Sequence, residues 1–132
     1  MKIPNEIKEF FESVPSMAFS TSDKKSSPNV VAIAAKKIVK KDTIWIIDTF
    51  FQKTKKNILQ NPKVAIAMWE GSKGYQIKGN AKYYSEGEVF EEAKNWILKS
   101  RPNKIVKGVV EIEVTGIYSI TPTYEDAGKK IL

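Results

Sequence analysis

Apolar residues recur at Ile7, Phe10, Phe11 and Val14, the spacing of one helix face, with Pro4 or Asn5 ahead of them and Pro15 behind. An amphipathic helix is predicted there. From Ser16 to Ser22 the period changes to two, Met17, Phe19 and Thr21 alternating with Ala18 and Ser20, and residues 23–28 supply turn chemistry. A first strand therefore hairpins into a second. Residues 29–39 read as one long strand with Ala32, Ala34 and Ala35 in its middle. Such small side chains suit either a tightly packed barrel wall or a place where another molecule meets the backbone.

Residues 43–49 carry Ile44, Trp45, Ile46 and Ile47, types that fit a pleated, half-buried surface, and predict a third strand. It runs into a short helix over 53–60, with Ile58 and Leu59 inward and Asn61-Pro62 as the stop. Residues 64–69 and 75–84 form the next hairpin around Gly71 and Gly74, and Gly79 marks a bulge or a close backbone approach. Ser85-Glu86-Gly87-Glu88 reads as a capping box for a helix burying Val89, Phe90, Ala93, Trp96 and Ile97. In the last strand, 109–120, Val110, Ile112 and Val114 alternate with Glu111 and Glu113, both expected outside, and residues 121–132 read as a loosely held tail.

Six strand-like stretches with three helices predict a mainly β protein, a six-stranded antiparallel split barrel with helices over its ends. The connections are too short for repeated βαβ crossovers, and no glycine-rich phosphate loop follows a strand. With 132 residues, a single domain over 1–132 is expected, its N-terminal helix within 1–15 and its tail at 121–132.

Composition then removes whole classes of chemistry. There is no cysteine and no histidine, which excludes disulfides, thiol nucleophiles, Cys/His zinc sites, histidine-ligated haem and histidine acid–base catalysis. No catalytic residue and no metal ligand set is assigned. Any redox chemistry must come from a cofactor. The net charge is +7 with Arg101 as the only arginine, so the excess is lysine. That argues against nucleic-acid recognition, which favours arginine and interleaved aromatics. No apolar run approaches the ~20 residues a membrane span needs, and Met1 to Lys8 lack an apolar signal region, so a cytoplasmic location is expected.

The junction of the third strand with the short helix has the composition of an anion site. Gln52, Lys53 and Thr54 offer side-chain donors and a cation where a helix start presents unpaired N–H groups. Most lysine runs are solvated faces, and composition alone leaves both readings open.

In their order and spacing, Ser27-Pro28-Asn29-Val30-Val31, Lys53-Thr54-Lys55-Lys56-Asn57-Ile58, Asn61-Pro62-Lys63-Val64-Ala65 and Tyr75-Gln76-Ile77-Lys78-Gly79-Asn80-Ala81 resemble the pyridoxamine 5′-phosphate oxidase-like family of FMN-binding split barrels, over roughly residues 7–120. The resemblance implies a homodimer with FMN in a cleft between the subunits. By matching position it implies cofactor contacts at Val31, Ala32, Ile33 and Ala34, at Ile47, Asp48 and Thr49, and at Gln52, Lys53 and Thr54, with Lys36 or Lys55 as further cations near the phosphate. Trp69 and Trp96 are candidates to stack on the ring from the other subunit, though each is better read as core. Unlike true pyridoxamine phosphate oxidases, the chain ends without the family's Trp and Arg and lacks an arginine near Val31, which argues against vitamin B6 oxidation. The implied function is a flavin-dependent oxidoreductase carrying out two-electron transfer on a small-molecule substrate. The alternatives are an F420-dependent reductase of the same fold and a non-enzymatic flavin- or polyanion-binding barrel.

Overall fold

The computed structural model describes residues 2–132. The elements run α1 (Asn5–Ser13), β1 (Met17–Ser22), β2 (Pro28–Ile33), β3 (Lys36–Lys40), β4 (Thr43–Asp48), α2 (Lys53–Gln60), β5 (Lys63–Glu70), β6 (Lys73–Tyr84), α3 (Glu88–Ser100) and β7 (Gly108–Ser119). All the strands join one sheet of seven, in the order β2-β1-β5-β6-β7-β4-β3, and every pairing is antiparallel.

The strand count corrects the expected six. Residues 29–39 are not one strand: β2 pairs with β1, β3 pairs with β4, and Ala34 and Ala35 make the change of partner. At that corner Ala35 C=O accepts the Ile47 N–H at 2.9 Å. The alternation slips by one residue at the corner. Ile33 faces the barrel core, Ala35 the outer cluster and Ile38 the barrel core again, so odd positions point inward in β2 and even ones in β3. Because β2 and β3 are the sheet's two edges and only two residues separate them, the edges meet at one end, while no ladder joins them along their length. The barrel stays split.

The turns follow the local chemistry. Asp23 Oδ1 accepts the N–H groups of Lys25 and Ser27 at 2.8 and 3.0 Å, holding the β1–β2 connection. Gly71 turns the β5–β6 hairpin with a φ of 60°. At Gly79 both sequence readings hold. The register slips opposite it, leaving Thr115 of β7 unpaired between Val114 and Gly116, and a Cβ on Gly79 would lie 2.5 Å from Glu113 O and from Ile112 Cγ2.

The main core fills the barrel, with Phe19, Ile44, Ile46, Ile66, Met68, Ile77, Val110 and Ile112 meeting Ile7 and Phe11 of α1 and Ile58 of α2. A second cluster forms outside the sheet, where Phe90, Ala93 and Ile97 of α3 cover Trp45 and Ile47 of β4 and Val109 of β7. Helix α3 thus covers an outer face, not an end as expected. Nor is its start a capping box: the N-cap is Gly87 at φ 93°, without a side-chain bond, so Ser85 and Glu88 fall outside the positions that cap reciprocally. Glu113 is exposed, while Glu111 is half-buried and accepts the Trp45 indole N–H at 2.9 Å.

The tail is not loose. β4 pairs with β7 only through Glu113, which leaves the end of β7 with open backbone groups, and the last residues fill them. Ile117 and Ser119 N–H groups donate to Leu132 and Lys129 C=O at 2.8 Å each, Ile131 N–H donates to Ile117 C=O at 2.8 Å, and Leu132 packs against the core.

Replacing Gly79 with Ala is expected to destabilise the fold by about 1–3 kcal/mol, because the added methyl must displace backbone on β7. The change in urea midpoint at constant slope measures it.

Candidate functional site

A cleft of about 570 Å³ opens along edge strand β2. Its floor is the strip Val31, Ala32, Ile33, Ala34, Ala35, with Ile47 beside it. Since β2 pairs only with β1, its other edge leaves backbone N–H and C=O groups free beside small side chains. A planar ring could approach them closely.

One wall is the connection 49–52 and the start of α2, contributing Thr49, Phe50, Phe51, Gln52, Lys53 and Thr54. The α2 start has no side-chain cap, and the first helical bond there runs from Lys56 N–H to Gln52 C=O at 3.2 Å. The N–H groups of Lys53, Thr54 and Lys55 are therefore open to an anion. Thr54 is only 1% exposed, and its hydroxyl accepts the Asn29 amide N–H at 3.1 Å. Thr21 Oγ1 ties the same group together, accepting from Asn29 at 3.3 Å and from Asn57 at 3.0 Å. This network fixes Thr54 with its hydroxyl proton free to donate.

The opposite wall, residues 101–107, contributes Arg101 and Lys104. The sequence reading missed both, because the approach of this loop to β4 is a tertiary event. The Thr49 hydroxyl donates to Ile105 C=O at 2.7 Å, and Lys107 N–H donates to Asp48 C=O at 2.9 Å. The lining thus holds three cations, Lys53, Arg101 and Lys104, and no carboxylate. Asn29, Phe50 and Phe51 were also missed, since their alternation and turn positions carry no distinguishing signal, whereas Ala35, singled out only for its small side chain, joins the floor.

Of the ten residues implied by resemblance, nine line the cleft, and Asp48 does not. Asp48 is fully buried. Its Oδ1 accepts the Phe51 N–H at 2.8 Å and its Oδ2 accepts the Tyr83 hydroxyl, so its carboxylate points away from the cleft and into the fold. Lys36 and Lys55 also fail to join the anion site. Lys36 Nζ donates to Val14 C=O at 2.8 Å over the Phe11 ring, and burial, followed by the charge of Arg101, lowers its pKa. Lys55 Nζ stands 4.8 Å above the Tyr83 ring. Trp96 is half-buried against the α3 cluster, as expected of core. Trp69 is not core: it is 52% exposed above a shallow apolar depression that shares Val31 and Ala32 with the cleft.

Burial, then the hydrogen bond to Asp48 and its charge, raise the Tyr83 pKa well above the ordinary tyrosine value. A phenol whose folded pKa exceeds its unfolded value of about 10 stabilises the fold fully below that pH, and the contribution drains away as the unfolded chain ionises above it. Wild-type protein should therefore lose more stability between pH 8 and 11 than the Tyr83→Phe variant does, as read from denaturant midpoints at the two pH values.

Comparison with known proteins places this geometry. The family model described as pyridoxamine 5′-phosphate oxidase matches residues 3–121. An uncharacterized protein of Methanocaldococcus jannaschii is 41% identical over 115 residues, 85% of this chain and 76% of the relative. Among solved structures, HupZ of Group A Streptococcus is 26% identical with a TM-score of 0.81, covering 96% of this chain and 98% of its own. An FMN-binding protein of Syntrophomonas wolfei is 18% identical with a TM-score of 0.76, covering 90% and 89%. The fold is shared as well by an F420 reductase (14% identity, TM-score 0.65, covering 87% and 98%) and by HutZ, a heme storage protein of Vibrio cholerae (16% identity, TM-score 0.69, covering 89% and 94%). With nearly the whole chain matched and the split barrel in place, this protein belongs to the pyridoxamine 5′-phosphate oxidase family.

Proposed function

We propose that the cleft binds FMN and that the protein is a cytoplasmic, homodimeric flavoprotein acting as an oxidoreductase on a small-molecule substrate. One observation carries the reading: an uncapped helix start with Lys53 and the fixed Thr54 hydroxyl lies in the same cleft as a strip of free strand edge and small side chains. The first part suits a phosphate, through a charge-assisted bond and helix N–H groups. The second suits the edge of a flat heterocycle that needs backbone donors and acceptors. Bound flavin supplies two-electron transfer. The chain's part is to bind the phosphate, orient the ring against β2 and bring cations to anionic groups.

The dimer reading is supported by the exposed face beside the cleft, where Val30 and Trp69 stand clear of any covering element. An obligate interface there would bury over ~2,000 Å² in total. Sedimentation should give a dimer at all working concentrations; a concentration-independent monomer removes this part of the proposal.

Arg101 and Lys104 favour one second reading. They add charge beyond what a single phosphate needs, as the acidic tail of F420 would require. Haem fits less well, since the chain has no histidine or cysteine and no Met or Tyr lines the cleft.

Lys53→Met keeps the aliphatic stem and deletes the charge. Its melting temperature should hardly move while FMN affinity falls tenfold or more, the equivalent of about 1.5–3 kcal/mol for a charge-assisted hydrogen bond. Unchanged affinity returns Lys53 to a solvated face. Titrating apo-protein with FMN and with F420 at two salt concentrations separates the cofactors: FMN is expected to bind tightly, and F420 weakly with a steeper salt dependence. Tight F420 binding at both salts with no FMN binding reverses the assignment, and binding of neither leaves the polyanion-binding barrel.

A further inference from the structure

We propose that Asp48, which does not itself line the cleft, is the positioning residue that holds both cationic walls of it in place. Where it speaks of flavin, the proposal rests on the FMN reading above. Asp48 is the last residue of β4, and three of its oxygens are engaged on three different segments. Oδ1 takes the Phe51 N–H at 2.8 Å, which fixes the connection leading into Lys53 and Thr54. The backbone oxygen takes the Lys107 N–H at 2.9 Å, which closes the 101–107 loop that carries Arg101 and Lys104. Oδ2 takes the Tyr83 hydroxyl, which ties the carboxylate to β6. Thr49, next along the chain, adds a direct link between the walls through Ile105 C=O.

The residue types are the ones this task needs. A carboxylate accepts at both oxygens and carries no proton that must find a partner, so it can face two donors at once from a site with no solvent. An amide of the same shape would turn a donor toward Tyr83 or toward Phe51. Gly108 belongs to the device as well, because a Cβ there would overlap the Tyr83 hydroxyl. A buried carboxylate oxygen that lost Tyr83 would be unpaired and would pull away from its remaining partner.

The test uses the whole chain with Tyr83→Phe and Asp48→Asn, neither of which alters a cleft residue. In ligand-free protein, amide exchange at Phe51 and Lys107 should quicken about tenfold in both variants, while Phe19 and Ile66 in the barrel core stay protected. In the flavin arm, the ratio of FMN to riboflavin affinity is measured. Riboflavin lacks only the phosphate, so general destabilisation weakens both ligands alike, whereas a displaced α2 start should shrink the FMN preference about tenfold. Unchanged exchange at Phe51 and Lys107 overturns the proposal, and so does faster exchange with an unchanged ratio, which makes the pair structural only. If Asp48→Asn does not fold, Tyr83→Phe decides. If the wild-type protein binds neither flavin, the FMN reading falls and the exchange result alone upholds or overturns the tether.

Discussion

The architecture turns on a strand with no solvent face. Every residue of β4 is buried, Ile44 and Ile46 in the barrel and Trp45 and Ile47 beneath α3. Each such side chain contributes roughly 1.5–3 kcal/mol by leaving water, and a one-residue slip would exchange the two sets between layers of different shape. The strand is therefore pinned in register and in direction. Whatever leaves its C-terminal end starts from a fixed point, and what leaves it is the wall of the cleft.

That placement explains how a short, uncapped helix can serve as a binding element. Isolated helices of this length are unstable in water, so α2 depends on its anchors: Ile58 in the core, the Asn57 amide on Thr21 at 3.0 Å, and the Asn61 amide on Ser22 at 3.0 Å. Its polar residues are spent on position, not on capping its own start. The N–H groups left over at Lys53, Thr54 and Lys55 are the consequence, and the cations of the opposite loop face the same opening.

The split in the barrel has a matching role. A closed barrel would satisfy both edges of β2, whereas here β1 takes one edge and the other runs along the cleft. The change of partner at Ala34 and Ala35 keeps the two sheet edges from zipping together. Small side chains at this corner serve both purposes at once, letting the chain bend and letting a ligand come near.

Much of this was legible from residue order alone. Helix α1 shows in its apolar spacing, the β1–β2 and β5–β6 hairpins in their turn residues, and β4 in its unbroken apolar run, because each signal lies within a few residues of its cause. Val31 to Ala34, Ile47, Thr49 and Gln52 to Thr54 were reachable as one group only as contacts implied by the family resemblance, and all of them line the cleft. What tertiary structure decided are matters of partnership. Residues 29–39 change both their neighbours and their inward-facing parity at Ala34 and Ala35, the tail fills backbone groups that β4 leaves open, Asp48 turns inward because Tyr83 and Phe51 meet it there, and Arg101 and Lys104 reach the cleft from a loop far along the chain. Periodicity records which side of an element is apolar; it holds no record of which distant segment will supply the hydrogen bond or the charge.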